Sequence, residues 1–201
     1  MKYKITHTTT YSYSTPVSVC HNLVMLTPRD ESRQRCQSHR LVIRQMPGVA
    51  ARRTDYFGNH VHAFSIEESH RQLTVTASNR VSISPAELPP LESSSPWDRV
   101  ASVVAERAES SWLDVCWFAF DSPRVRRSAE FLDYAAPCFE PEKPVLSALA
   151  ELTSRIHRDF KYDSAATSVT TPTEEAFRAG KGVCQDFAHI EVACLRSIGL
   201  P

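Results

Sequence analysis

Glycine is scarce in this chain. Five glycines in 201 residues exclude collagen-like character and flexible glycine-rich linkers. An excess of either charge is also missing: 23 Lys plus Arg balance 23 Asp plus Glu, for a formal net charge of zero. A balanced chain gives no electrostatic case for nucleic acid or an anionic membrane as its main partner. No apolar run approaches the ~18 residues of a spanning helix. The start, MKYKITHTTT, has neither an apolar h-region nor a small-residue cleavage site, so no signal peptide is expected and the chain reads as cytoplasmic. The cysteines (Cys20, Cys36, Cys116, Cys138, Cys184 and Cys194) show no C-x-x-C and no Cys/His zinc spacing. No nucleotide or phosphate motif is present, so neither a cofactor nor a metal is expected. No repeat of ~20–50 residues is visible.

What is present is ordinary globular composition, with 42% hydrophobic and 23% charged residues, cut into short elements by 13 prolines. The length allows one large domain or two small ones. The first half alternates with period two. Tyr3, Ile5, His7, Tyr11 and Tyr13 share one phase of a strand. A second strand is expected from Val17 to Thr27, and a third from Ser38 to Met46, ended by Pro47-Gly48. Arg53–Phe57 and His60–Phe64, separated by Gly58-Asn59, predict a hairpin whose glycine supplies a positive φ. Leu73 to Ile83 completes about six strands, an antiparallel sheet or sandwich. His7, His21, His39, His60, His62 and His70 are expected as solvent-facing or hydrogen-bonded strand residues, since no pair has metal spacing with a third ligand nearby.

The second half has period 3.6. A Pro/Ser-rich join from Leu88 leads to Ser95-Pro96-Trp97-Asp98, a helix start with a capping Ser, and Val100, Val103, Val104 and Arg107 carry the stripe that follows. The aromatic-dense stretch Trp112–Phe118 is expected in core packing or an inter-domain contact. Ser122-Pro123 predicts a further helix through Phe131 and Tyr134, stopped by Pro137. Val145, Leu149, Leu152 and Ile156 form a helical stripe ending near Phe160. Thr171-Pro172-Thr173-Glu174 predicts a short helix with a capping-box acid, ending at Ala179-Gly180. A loop, Gly180-Lys181-Gly182, then opens a last helix with Phe187, Ile190 and Cys194 on one face, Leu195 and Ile198 beside them, and Gly199-Leu200-Pro201 as its stop.

Cys184 stands apart from the other cysteines. It falls in the first turn of that helix, where unsatisfied N–H groups and a partial positive charge favour thiolate over thiol. The glycine loop would let a substrate backbone approach, and the Cys184 N–H could face a developing oxyanion. Cys194, mid-helix among apolar residues, reads as core.

Gly182-Val-Cys-Gln-Asp-Phe-Ala-His189, followed by Cys194-Leu-Arg-Ser-Ile-Gly-Leu-Pro201, resembles the nucleophile helix of the bacterial transglutaminase-like superfamily. Thr171-Pro-Thr-Glu-Glu175 and Phe160-Lys-Tyr162 fit the same pattern. The Tyr3-to-Tyr13 strand, Leu26-Thr-Pro-Arg29 and Asp55-Tyr-Phe-Gly-Asn59 resemble the β domain that often precedes that core. The fold expected is α+β: an N-terminal antiparallel β sheet or sandwich over 1–86, a helical connecting segment over 87–144, and the start of a papain-like transglutaminase core over 145–201. The resemblance implies a Cys-His-Asp arrangement in which Cys184 attacks a carboxamide or peptide carbonyl to give a thioester, resolved by an amine or water. A protein or peptide would be the substrate.

In the family, the triad His and Asp lie beyond the nucleophile helix, where this sequence stops. His189 does not substitute: five residues past Cys184, at ~100° per residue, it lies about 140° round the helix. His157 precedes the core motif and is set aside as a partner. The chain is therefore expected to be part of a longer enzyme, inactive by itself and prone to associate through an incomplete core. Tyr162 is a candidate oxyanion donor or a packing residue. Gln185 and Asp186 either shape the pocket or complete the helix's first turn. The competing expectation is a non-catalytic peptide- or protein-binding module that pairs through a sheet edge.

Overall fold

A computed structural model of the chain describes residues 1–86, 89–106 and 113–201. The expectations placed on Leu88, Arg107 and Trp112 fall outside those residues. Two compact units are present, Met1–Leu88 and Pro89–Pro201.

The first unit is an antiparallel β-sandwich. Its strands are β1 (Lys2–Val17), β2 (Cys20–Val24), β3 (Gln34–Arg44), β4 (Val49–Thr54), β5 (His60–Ile66) and β6 (His70–Ile83). One sheet runs β1-β6-β3 and the other β2-β5-β4. Period-two alternation explains the arrangement: Leu73, Val75, Ala77 and Val81 on β6 are buried, and Ala77 and Val75 stand opposite Leu41 and Ile43 on β3. Phe64 and Ile66 from β5 close over Leu73 and Val75, with Tyr13, Cys20, Val24 and Leu26 packed around them.

The hairpin is longer than the sequence predicts. β4 stops at Thr54, and residues 55–59 form the connection. Asp55 ends the strand because its side chain takes over the local donors. Asp55 Oδ1 accepts from the N–H groups of Phe57 (2.9 Å) and Asn59 (2.8 Å). The Asn59 side-chain amide, 2.9 Å from Oδ2, helps hold the Asp55 carboxyl below the usual carboxylate range. Gly58 does carry the positive φ, at 80°. Five of the six strand histidines are hydrogen-bonded: His7 to Thr9, His21 to Ser65, His39 to Asn79 and Thr27, His62 to Thr27, and His70 to the Glu68 carbonyl.

The second unit is helical. It contains α1 (Trp97–Glu106), α2 (Leu113–Cys116), α3 (Ala129–Ala135), α4 (Val145–Asp159), α5 (Thr173–Ala179) and α6 (Cys184–Ser197). A short parallel pair joins β7 (Lys161–Tyr162) to β8 (Lys181–Gly182). Ser94 and Ser95 serve a different helix from the one expected: the Ser94 hydroxyl accepts from the Leu146 N–H and the Ser95 carbonyl from the Val145 N–H, capping α4 from outside. Ser122-Pro123 opens no helix. Ser122 and Val125 exchange backbone bonds in a loop, and Ser128 caps α3 by accepting from the Phe131 N–H. The capping box at Thr171–Glu174 is likewise not formed. Pro172 precedes α5, the Thr171 hydroxyl accepts from the Ser168 N–H, and Thr173 donates to the Arg124 carbonyl. Trp117 and Phe118 do not pack in the core; they are 71% and 51% exposed, while Cys116, the last residue of α2, is buried.

Phe131, Ala135, Cys138, Leu152, Ile156, Ile190, Ala193 and Cys194 form one core. The described residues of 87–144 thus share their apolar faces with α4 and α6. An aromatic series crosses it: Phe131 to Phe177 at 5.0 Å, Phe177 to Phe160 at 5.6 Å, and Phe160 to Phe187 at 6.0 Å between ring centres. Phe131 is fully buried at its start. Phe131→Ala should lower the stability of this unit by about 3–5 kcal/mol, read from urea unfolding followed by helical circular dichroism.

Candidate active site

Two helices supply the walls of one cleft. On α6, Cys184, Phe187, Ala188 and Glu191 follow the i, i+3, i+4, i+7 spacing of a single helical face. On α4, Thr153, Ile156, His157 and Phe160 repeat that spacing, with Phe160 as the residue ending the helix. These eight residues and Tyr162 line a cleft of about 410 Å³. The Thr153 hydroxyl donates to Glu191 Oε1 at 2.6 Å, bridging the two walls.

Cys184 is the first residue of α6, and it is exposed. A buried carboxylate fixes its position. Asp186, 3% exposed, accepts from the Val183 N–H at 2.8 Å and from the Thr167 hydroxyl at 2.6 Å through Oδ2. This is the reciprocal half of a capping box, in which the third helical residue reaches back to the residue before the helix. The sequence left open whether Asp186 shapes the pocket or completes the first turn; it completes the turn and does not reach the cleft. Gln185 is exposed and is not among the cleft-lining residues. Tyr162 is 64% exposed at the rim.

Gly182 also has a different task from the one expected. It is buried, and a Cβ there would stand 2.5 Å from Asp186 Oδ2. The room left by the missing side chain is filled by the carboxylate, not kept for a substrate backbone. Gly180, at φ 64°, ends α5 in the left-handed conformation. The Lys161 N–H then bonds to the Gly180 carbonyl and the Asp163 N–H to the Gly182 carbonyl, both at 2.9 Å. That ladder ties the end of α4 to the approach of α6.

His189 is half-buried and lies outside the cleft. His157, set aside on the sequence, lines the cleft together with Cys184. The signal that could have found it is the matched spacing of the two stripes. Cys194 is fully enclosed, and burial pushes its thiol up to about 12.

Residues 3–82 match the bacterial transglutaminase-like N-terminal region, and residues 133–201 match the transglutaminase-like superfamily. This chain belongs to the transglutaminase-like superfamily. The uncharacterized protein Rv2569c of Mycobacterium tuberculosis is 38% identical over 205 residues, which cover 99% of this chain and 63% of that protein. The uncharacterized protein ML0607 of Mycobacterium leprae is 31% identical over 98% of this chain and 67% of its own length. The chain thus spans less than two thirds of the first of these relatives. A crystal structure from Cytophaga hutchinsonii, provisionally described as a cysteine protease, shares the fold at a TM-score of 0.75 and 19% identity, over all of this chain and 65% of that one. The fold of this chain is α+β, with the antiparallel sandwich first and the helical unit after it.

Two outcomes follow from the buried groups. Gly182→Ala and Asp186→Ala should each cost about 1–3 kcal/mol, the first by overpacking and the second by stranding the Val183 N–H and Thr167 hydroxyl. Their double mutant should cost clearly less than the sum, because the clash needs the carboxylate; a double-mutant cycle in urea measures this. For Cys194, the folded state keeps the proton that the unfolded chain releases above its ordinary value of 9.0. Stability should therefore fall as pH rises from about 9 toward 12, and Cys194→Ala should remove part of that slope.

Proposed function

We propose that this chain carries the nucleophile side of a cysteine enzyme acting on amide or peptide bonds, with Cys184 Sγ as the nucleophile. The observation that carries the reading is the placement of one exposed thiol at a helix start, opening onto a cleft, while Cys116, Cys138 and Cys194 are buried. Backbone N–H groups at a helix N-terminus favour an anionic sulfur. The thiolate would add to the substrate carbonyl. The oxyanion formed would be met by the Cys184 N–H, with Tyr162 at the cleft rim as a second donor. Collapse expels the amine, which takes up a proton, and leaves a thioester on Cys184. Water then releases a carboxylic acid, or a second amine gives a new amide, and the thiol is restored.

The base and its orienting acid are assigned to the part of the longer relatives that this chain does not span, as the family resemblance implies. A protein or peptide is the proposed substrate, and six unbridged cysteines suit a reducing, cytoplasmic setting. No described helix is long and apolar enough to cross a membrane.

Alkylation with iodoacetamide near pH 6, followed by peptide mass mapping, tests the reading. Cys184 should react selectively and at least about tenfold faster than Cys20 or Cys36. Uniform slow labelling of all accessible thiols would leave the peptide-binding module as the better account. In a chain extended to the relatives' full length, Cys184→Ala should abolish hydrolysis or transamidation of a peptide carboxamide.

A further inference from the structure

One end of the β-sandwich interior is polar, and its groups are ordered in a single hydrogen-bonded line. Asn79 on β6 donates through Nδ2 to the Leu26 carbonyl at 3.2 Å, so its Oδ1 faces His39 Nδ1 at 2.6 Å as an acceptor. In the neutral form of His39, Nδ1 then carries the proton and Nε2 accepts. Thr27 Oγ1 lies 3.0 Å from His39 Nε2 and 3.0 Å from His62 Nε2. The hydroxyl has one proton and gives it to His39, so it accepts from His62 Nε2–H. The basic lone pair of His62 is therefore on Nδ1. No partner for that nitrogen is present among the described residues.

His62 is 9% exposed and lines a cleft of about 320 Å³. Around it the charge is of one sign. Arg52 stands directly opposite His62 across the β4–β5 pair, and His60 opposite Thr54. Thr27, His39, Arg53 and Thr54 complete the polar wall, and among the described residues no acidic one lines the cleft. Among the described residues Arg52 makes no ion pair. Asp30 and Glu31, which line a neighbouring cleft with His60, are paired with Arg35 and Arg29, and Asp55 holds the hairpin connection. Burial, then Arg52, His39 and His60, hold the His62 imidazole below its ordinary value.

We propose that this polar end of the sandwich is a binding site for a compact oxyanion, a carboxylate or a phosphate group, held by Arg52, His60 and Nδ1 of His62. A guanidinium offers two parallel donors to such a group, and an imidazolium a third. Protonation of His62 at Nδ1 leaves the Asn79–His39–Thr27–His62 line intact. The proton and the anion therefore enter together: the anion offsets the surrounding positive charge, and the imidazolium supplies the donor. The site uses no residue of the Cys184 cleft and does not depend on the activity proposed for it.

The test is a nuclear magnetic resonance titration of the histidine ring signals in the whole chain, with inorganic phosphate and, separately, acetate as probes. Millimolar phosphate should shift His62 and His60 saturably, raise the midpoint of the His62 titration, and bind up to about tenfold more tightly for each unit of pH lowered toward 6. Arg52→Gln should weaken binding by about tenfold to a hundredfold. Arg52 and His60 are exposed, so Arg52→Gln and His60→Asn should keep the wild-type thermal midpoint in phosphate-free buffer, separating loss of the ligand from loss of the fold. Saturation by both probes supports the shared oxyanion chemistry, and saturation by phosphate alone narrows it to the more highly charged group. Absence of a saturable His62 shift with either probe, or undiminished binding in Arg52→Gln, overturns the proposal.

Discussion

The helical unit depends on a carboxylate that is almost wholly enclosed, Asp186, 3% exposed. Asp186 binds the N–H of Val183 and the hydroxyl of Thr167 with one oxygen, and occupies the space above Gly182. Two separate pieces of chain are held by that one group: the loop before α5 and the Gly182-Val183 approach to its own helix, α6. A buried carboxylate with satisfied partners is stabilising only while all of them are present. The position of the Cys184 thiol is thus a by-product of local hydrogen bonding by a group two residues further along α6.

From that fixed start, the helix runs inward along an apolar face and outward along the cleft. Ile190, Ala193 and Cys194 anchor it in the core, while the Arg196 guanidinium holds its far end to the Phe118 and Val125 carbonyls and the Ser122 hydroxyl. The aromatic series from Phe131 to Phe187 connects the deepest part of the unit to the cleft wall. Side chains packed at crystal-like density transmit position well, so the floor beneath Cys184 is set by residues as distant in sequence as α3. The sandwich is organised differently. Its apolar centre is completed at one end by a line of hydrogen-bonding groups, Asn79, His39, Thr27 and His62.

Much of this was legible in the residues. Period-two alternation placed six strands, and the glycines before Cys184 marked an abrupt helix start. What could not be read depends on choices between neighbouring polar groups. Ser122 and Ser128 are equally good caps on paper; Ser128 takes the role because Ser122 is engaged with Val125. Asp55 falls inside the strand expected over Arg53–Phe57 and instead organises a loop, because one carboxylate can serve two N–H groups at once. Gly182 looked like an opening for substrate, yet the occupant of that space is four residues further on. The line through His39, Thr27 and His62 draws on two strands and a loop that are adjacent only in the folded sandwich, so no spacing in the sequence announces it. His157 lay in plain view, but its relation to Cys184 exists only when two stripes of identical spacing are turned toward each other.

The ladder between Lys161–Tyr162 and Lys181–Gly182 bears on how the molecule reaches its native state. Every residue lining the Cys184 cleft lies between Thr153 and Glu191. The longest chain segment that must be closed to build it is a few tens of residues, and closure entropy grows only logarithmically with length. The β1–β6 pairing of the sandwich, by contrast, joins Lys2 to Ser82 and demands a far longer search. By the usual dependence of folding speed on contact separation, the nucleophile pocket would assemble ahead of the sandwich and on its own clock.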